Sequence, residues 1–306
     1  MIGTGKNAIR LFQFKGIDVF LHWSWFLVAA YEIGDRQKAY ASVAWNILEY
    51  LALFLIVMLH EFGHALACRQ VGGEANKIVL WPLGGVAYVN PPQRAGATLW
   101  SIAAGPLVNV ALVPVFLIIG RTIRAFGLIQ TIPDAYLLLK SVAIINIGLL
   151  IFNLLPVYPL DGGQILRALL WYPLGRARSL MAATIVGFLG VAALALYALR
   201  SQSIWLAFVC AYVFMNCWRG MQQARALLKI AKLQRYPEYS CPSCKVSPPV
   251  GEYWKCSSCA KPFDTFQSQA VCPHCSTRFP NTACMDCRRA FPISEWSRSV
   301  PVATSI

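Results

Sequence analysis

The sequence predicts an all-α polytopic membrane protein of about six transmembrane helices, with a small β-like membrane hairpin between two of them and a small cysteine-rich domain after the last. Three observations carry this. Of 306 residues, 57% are hydrophobic and only 13% charged, a balance outside the range of soluble globular chains. Apolar segments long enough to cross a bilayer, or nearly so, recur at about 17–33, 43–68, 97–120, 135–155, 179–199 and 203–218. Eight of the eleven cysteines then crowd between Cys241 and Cys287 as four Cys-x-x-Cys pairs.

The first apolar segment follows Lys6, Arg10 and Lys15, a layout shared by cleaved secretory signals and by uncleaved first spans; an uncleaved span is the preferred reading. His22 in this segment, beside Trp23 and Trp25, reads as an interfacial anchor. Between the second and third spans, "NKIVLWPLGGVAYVN" (76–90) alternates and then breaks at Pro82, Gly84 and Gly85, which predicts a hairpin. Its backbone must pair with protein or water, because lipid offers no hydrogen bonds. The fourth span runs into "NLLPVYPLDGGQ" (153–164), where Pro156, Pro159, Gly162 and Gly163 break the helix around Asp161.

A net charge of +14 would fit nucleic acid, but the cations stand mostly in short segments between apolar runs, where membrane orientation accounts for them. Lys6, Arg10, Lys15, Arg69, Lys77, Arg94, Arg167, Arg176, Arg178 and the group from Arg219 to Arg235 fall on one side. Arg36, Lys38, Arg121, Arg124 and Arg200 fall on the other. The bias predicts a multi-pass protein of the cell (inner) membrane with both termini cytoplasmic. Arg225, Lys229, Lys232 and Arg235 form a stripe on a basic juxtamembrane helix at 221–236, for which anionic lipid is the natural partner. Composition thus divides the chain into a membrane domain (1–220), that helix, a cysteine-rich domain (237–290) and a C-terminal tail (291–306).

The chemistry concentrates in "LHEFGHALAC" (59–68), polar residues set where polarity is expensive. At spacing i, i+4 on a helix, His60 and His64 share a face and can ligate one zinc ion, with Glu61 beside the metal. A carboxylate there can take a proton from zinc-bound water and pass it to a leaving amine. A glutamate placed in a span by chance carries a penalty of about 2.5–3.5 kcal/mol on insertion scales, which weighs against coincidence or a packing role alone. A catalytic zinc needs a third protein ligand, and Asp161 is the candidate, its alternative being a helix-capping loop aspartate. His64 and His60 precede the basic end of the span at Arg69 by 5 and 9 residues, or roughly 8 and 13 Å, so the metal is expected within the membrane and nearer the cytoplasm.

These segments together resemble the site-2 protease family, the intramembrane zinc metalloproteases. The resemblance rests on His60-Glu61-Phe62-Gly63-His64 and on Asn153 to Pro156 with Leu160-Asp161-Gly162; it extends to "PLGG" (82–85) and "GPLVN" (105–109) and covers roughly residues 15 to 220. It implies that His60, His64 and Asp161 bind the catalytic zinc and that Glu61 is the general base. It places Asn153 and Pro156 near the site, with Asn153 orienting substrate backbone, and Gly84 and Gly85 in a supporting loop. Asn109 either belongs with the site or satisfies backbone at a helix crossing. The activity implied is regulated intramembrane proteolysis of a membrane-embedded or membrane-associated protein near the cytoplasmic face, with the edge of the 76–90 hairpin receiving an unwound substrate strand.

The cysteine pairs Cys241/Cys244, Cys256/Cys259, Cys272/Cys275 and Cys284/Cys287 predict two structural zinc sites resembling paired zinc ribbons. Sequential and interleaved pairings both use every ligand; sequential pairing is favoured because each site then closes a short local loop. With seven basic and five acidic residues from 236 to 306, and about −4 contributed by two zinc ions with eight thiolates, this region is not cationic. Nucleic acid is therefore disfavoured and a protein regulator preferred as its partner. Two other function classes compete: a non-catalytic membrane scaffold with structural zinc, and a metal transporter. The second lacks an ionisable metal ligand in the span between Glu49 and His60.

Overall fold

The computed structural model describes residues 8–35, 40–81 and 84–296. It opens with an antiparallel pair, β1 (Ala8–Phe14) and β2 (Ile17–His22), followed by helix α1 (Trp25–Asp35). The first expected span is therefore replaced by strand and a short helix. Residues 17–22 alternate, with Ile17 and Val19 fully buried between more accessible neighbours, and that period-2 pattern overrides their hydropathy. The 11 residues of α1 rise only about 16 Å, half of a hydrocarbon core.

Helix α2 (Val43–Gln70) is followed by the predicted hairpin, β3 (Glu74–Trp81) and β4 (Gly84–Asn90). It is half of a larger element: a four-stranded sheet in the order β1-β2-β3-β4, in which β2 and β3 run parallel with Val19 opposite Ile78. Ile17, Val19, Ile78 and Leu80 form its buried face and pack with Val57, Ala65 and Cys68 of α2. At the α2 C-terminus Arg69 donates to the carbonyls of Lys15 and Gly16, tying the β1–β2 turn to this end of the helix.

Behind α2 lie α3 (Ala95–Ala125), the single turn α4 (Leu128–Thr131), α5 (Pro133–Leu154), α6 (Asp161–Ser201) and α7 (Ile204–Ala231). Among the described residues four helices, α2, α3, α5 and α6, are long and apolar enough to cross a membrane, where the sequence predicted six. The expected last span and most of the basic helix after it are one continuous helix, α7, largely apolar to Trp218 and bearing Arg219, Arg225 and Lys229 in its second half; it ends at Ala231, so Lys232 and Arg235 of the expected basic helix lie beyond it. Helix α6 bends at Gly175, two residues after Pro173, where φ is 75° and ψ 171°.

The cysteine-rich region has four similar knuckles, each a Cys-x-x-Cys followed by a residue with positive φ: Lys245, Ala260, Ser276 and Arg288. Two short antiparallel pairs accompany them, β5 (Trp254–Lys255) with β6 (Pro262–Phe263), and β7 (Thr282–Ala283) with β8 (Ala290–Phe291). Phe266 and Trp296, 2% and 0% exposed, are the largest apolar groups of its small core.

Candidate metal centre

On α2, the i, i+4 spacing brings the imidazoles of His60 and His64 together with Nε2 atoms 3.0 Å apart. Asp161, the first residue of α6, directs Oδ2 to 3.1 Å from His60 Nε2 and 3.3 Å from His64 Nε2. The turn at 155–160, with Pro156 and Pro159, ends α5 and starts a new helix so that this carboxylate enters the bundle. All three groups are shielded, the histidine side chains 5% and 7% exposed and the aspartate 14%.

The far side of each imidazole is also fixed. His60 Nδ1 donates to Asn109 Oδ1 at 2.7 Å, and His64 Nδ1 donates to the Ser101 carbonyl at 2.9 Å. Both partners lie on α3. Asn109 is held in turn by α5: its Nδ2 donates to Asn146 Oδ1 at 2.9 Å, and Asn146 Nδ2 returns to the Asn109 carbonyl at 3.0 Å. With both Nδ1 protons committed, two Nε2 lone pairs and a carboxylate oxygen converge, an arrangement that needs a cation at its centre. Tetrahedral zinc, with bonds of about 2.0–2.2 Å to N and O, requires ligand atoms roughly 3.3 Å apart, so the donor set fits it.

Glu61, 6% exposed, points from the adjacent position toward the sheet, where Oε2 accepts the Ala87 N–H of β4 at 2.8 Å. Two glycines make room. A Cβ on Gly85 would lie 2.1 Å from Glu61 Cγ, and one on Gly105 would lie 2.2 Å from His64 Nε2. The glycines of "PLGG" and "GPLVN" thus let β4 and α3 close on the carboxylate and on the imidazoles.

Other predicted positions fall differently. Asn109 lies at the site, fully buried. Asn153 is half-buried and makes no side-chain hydrogen bond among the described residues, and Pro156 is exposed in the turn. Gly84 pairs with Trp81 across the hairpin. Pro82 lies outside the described residues. His22 stacks on Trp81, ring centroids 4.1 Å apart, and is not among the grouped metal ligands. Asn146 escaped the sequence reading; its signal is an amide in the middle of an apolar span, two helical turns before Asn153.

In the cysteine-rich region Cys241, Cys244, Cys284 and Cys287 form one group that could hold a metal ion, and Cys256, Cys259, Cys272 and Cys275 another. The favoured sequential pairing is thereby corrected to a nested one. The physical reason is that local closure applies to the inner site alone: once it joins Cys259 to Cys272, the chain between the outer knuckles is already shortened, and bringing them together costs little further loop entropy. Closest Sγ pairs lie 3.6 and 3.7 Å apart in the outer group and 3.5 and 3.7 Å in the inner. A four-thiolate zinc with bonds of about 2.3 Å places sulfurs roughly 3.8 Å apart. Within the outer group the contact between Cys244 and Cys284 pulls the Cys244 thiol down and pushes that of Cys284 up, as expected where sulfurs crowd together and one proton is shared.

A polytopic bundle carrying a buried His-His-Asp donor set, with a glutamate next to it, defines an intramembrane metal-site protein. Comparison places it further. The family model for peptidase family M50 matches residues 49–136 and 129–197. A solved structure titled a site-2 protease from Methanocaldococcus jannaschii is 30% identical and covers 70% of this chain and 95% of its own, with a TM-score of 0.51. A zinc metalloprotease from the same organism is 34% identical over 209 residues, 68% of this chain and 59% of that protein. Stage IV sporulation protein FB of Bacillus subtilis is 31% identical over 120 residues, 38% of either chain. The chain belongs to peptidase family M50, the site-2 protease family. The matched region spans little more than half of these curated relatives, or less.

Proposed function

We propose that this chain is an intramembrane zinc endopeptidase that hydrolyses a peptide bond of a membrane-embedded or membrane-associated protein near the cytoplasmic face, releasing a regulatory fragment. The observation that carries the proposal is the convergence of His60, His64 and Asp161, drawn from positions 101 residues apart, beside Glu61. Family membership supports the same reading.

In this reading His60 Nε2, His64 Nε2 and Asp161 Oδ2 hold the zinc, and Asn109 and the Ser101 carbonyl keep both imidazoles in the metal-binding tautomer. A zinc ion held there would lower the pKa of a bound water and polarise the scissile carbonyl. Glu61 takes the proton of the attacking water and delivers it to the leaving amine. The Ala87 N–H aims the Glu61 carboxylate until substrate arrives, and the rest of the β4 edge pairs with an unwound substrate strand. Val79 sits in the central strand, opposite both Phe20 and Val86. Val79→Pro therefore disrupts two ladders and should reduce cleavage more than zinc content.

The cysteine groups are two structural zinc sites, and the region around them serves a protein regulator. Arg225 and Lys229 meet anionic lipid at the cytoplasmic surface, with both termini on that side.

The test is zinc content together with cleavage in the purified protein. The wild type should hold about three zincs, Asp161→Ala about two, and a chain ending at Arg235 about one. Glu61→Gln should keep its zinc and stop cutting a candidate substrate. A truncated chain without zinc under metal-replete conditions would refute the intramembrane site. Equal cutting by wild type and Glu61→Gln would refute the assigned base.

A further inference from the structure

The two cysteine groups are not equivalent in their surroundings. Among the described residues the inner group's side-chain hydrogen bonds stay within its own region, and its Cys275 is exposed. The outer group lies against the membrane domain. Asp286, inside the Cys284–Cys287 knuckle, accepts from Arg235 Nη1 at 2.9 Å, and its main-chain carbonyl accepts from Arg176 Nη1. Arg176 is the residue after Gly175, at the bend of α6. It lies within electrostatic reach of the Cys244, Cys284 and Cys287 sulfurs. Its guanidinium also sits 5.9 Å from the Trp171 ring, with Arg167 at 5.9 Å from the same ring. The Nε atoms of Arg167 and Arg176 are buried without a hydrogen-bond partner among the described residues. Arg289, next to the same knuckle, bonds Ser243 and comes within electrostatic reach of Cys68, in the last turn of α2.

Buried guanidinium groups with donors to spare are costly unless an anionic group faces them. A divalent ion with four thiolates carries a formal charge of about −2, and the metal also sets the knuckle turn that presents Asp286. Charge and shape therefore meet only when the outer site is loaded.

We propose that the outer four-cysteine site, when it holds zinc, is a docking element that fixes the cysteine-rich region to the bend of α6, with Arg176 as its receptor and Arg235, which also donates to the Ser247 carbonyl inside the region, holding Asp286 in place. Loss of that metal releases the region from the half of α6 that begins at Asp161 and from the end of α2 that follows His64. The inner site, which packs in its own apolar cluster with Phe263, takes no part in docking. The proposal needs the metal reading of the cysteines and is independent of the peptidase reading.

The experiment uses the full chain carrying Glu61→Gln, reconstituted in lipid vesicles with zinc, so that its outcome does not depend on cleavage. Hydrogen exchange is followed at 171–178 and 284–289, with zinc content measured alongside. Cys284→Ser with Cys287→Ser should lose one zinc and speed exchange at 171–178 by about tenfold or more. Cys259→Ser with Cys272→Ser should lose one zinc and leave that segment protected. Arg176→Gln should keep both tail zincs and still lose protection; this arm decides if the outer cysteine variant fails to fold. Protection retained in the arginine variant, or lost equally with the inner site, would overturn the proposal.

Discussion

The histidine-aspartate centre and the cysteine centres are both metal sites by composition, yet they stand in opposite relations to the fold. His60, His64 and Asp161 are placed by helices that also pack elsewhere and are oriented by Asn109 and the Ser101 carbonyl. There the fold holds the site. The region from Cys241 to Trp296 has four two-residue strands and a core of a few side chains, with five of its eight thiols buried within it. There the site holds the fold. The difference teaches that a family motif set in a membrane bundle reports chemistry, whereas a cysteine motif in a short polar segment reports first on stability.

The largest test of this contrast is metal removal. Structural zinc contributes about 10–16 kcal/mol of apparent binding energy to such small domains. Chelation should therefore unfold residues 241–296, seen as rapid proteolysis there, while the helical circular dichroism of the bundle persists. A tail that resists protease without metal would break the comparison.

Next in size is Glu61→Gln. General acid-base catalysis supplies about 10²–10⁴-fold, so cleavage should fall by that factor with zinc content unchanged. Two glycine variants then separate the parts of the centre. Gly105→Ala drives a methyl toward His64 Nε2, 2.2 Å away, and should cost both zinc and cleavage. Gly85→Ala drives one into Glu61, 2.1 Å from Cγ, and should spare zinc while cleavage falls. Zinc loss in both variants, measured by metal analysis, would mean that β4 supports the ligands as well as the base.

Much of the centre was legible because its chemistry is local or rare in its setting. His60 and His64 lie one turn apart, and Asp161 is the only acid between Asp134 and Glu238. The supporting groups were less legible for physical reasons. The Ser101 carbonyl and the Ala87 N–H are backbone atoms, and no residue type announces them. The strand at 17–22 was masked by hydropathy, since an apolar run reads the same whether it faces lipid or a helix. The nested cysteine pairing was invisible because each knuckle is the same, and only the folded path of the chain decides which two meet.

The smallest expected effects lie on α3 and α5 and sharpen the distinction between holding a site and lying near it. Asn109→Ala removes the acceptor that fixes His60 and should weaken zinc by about 10–100-fold. Asn146 acts one bond further out, through Asn109, so Asn146→Ala should weaken zinc by only a few-fold, read by competition with a chelator. Asn153 shares the helix face of Asn146 but is bonded to nothing among the described residues. If it orients substrate, Asn153→Ala leaves zinc affinity unchanged and raises KM. A fall in zinc affinity matching that of Asn146→Ala would instead join Asn153 to the network behind His60, and the third amide would then belong to the metal rather than to the substrate.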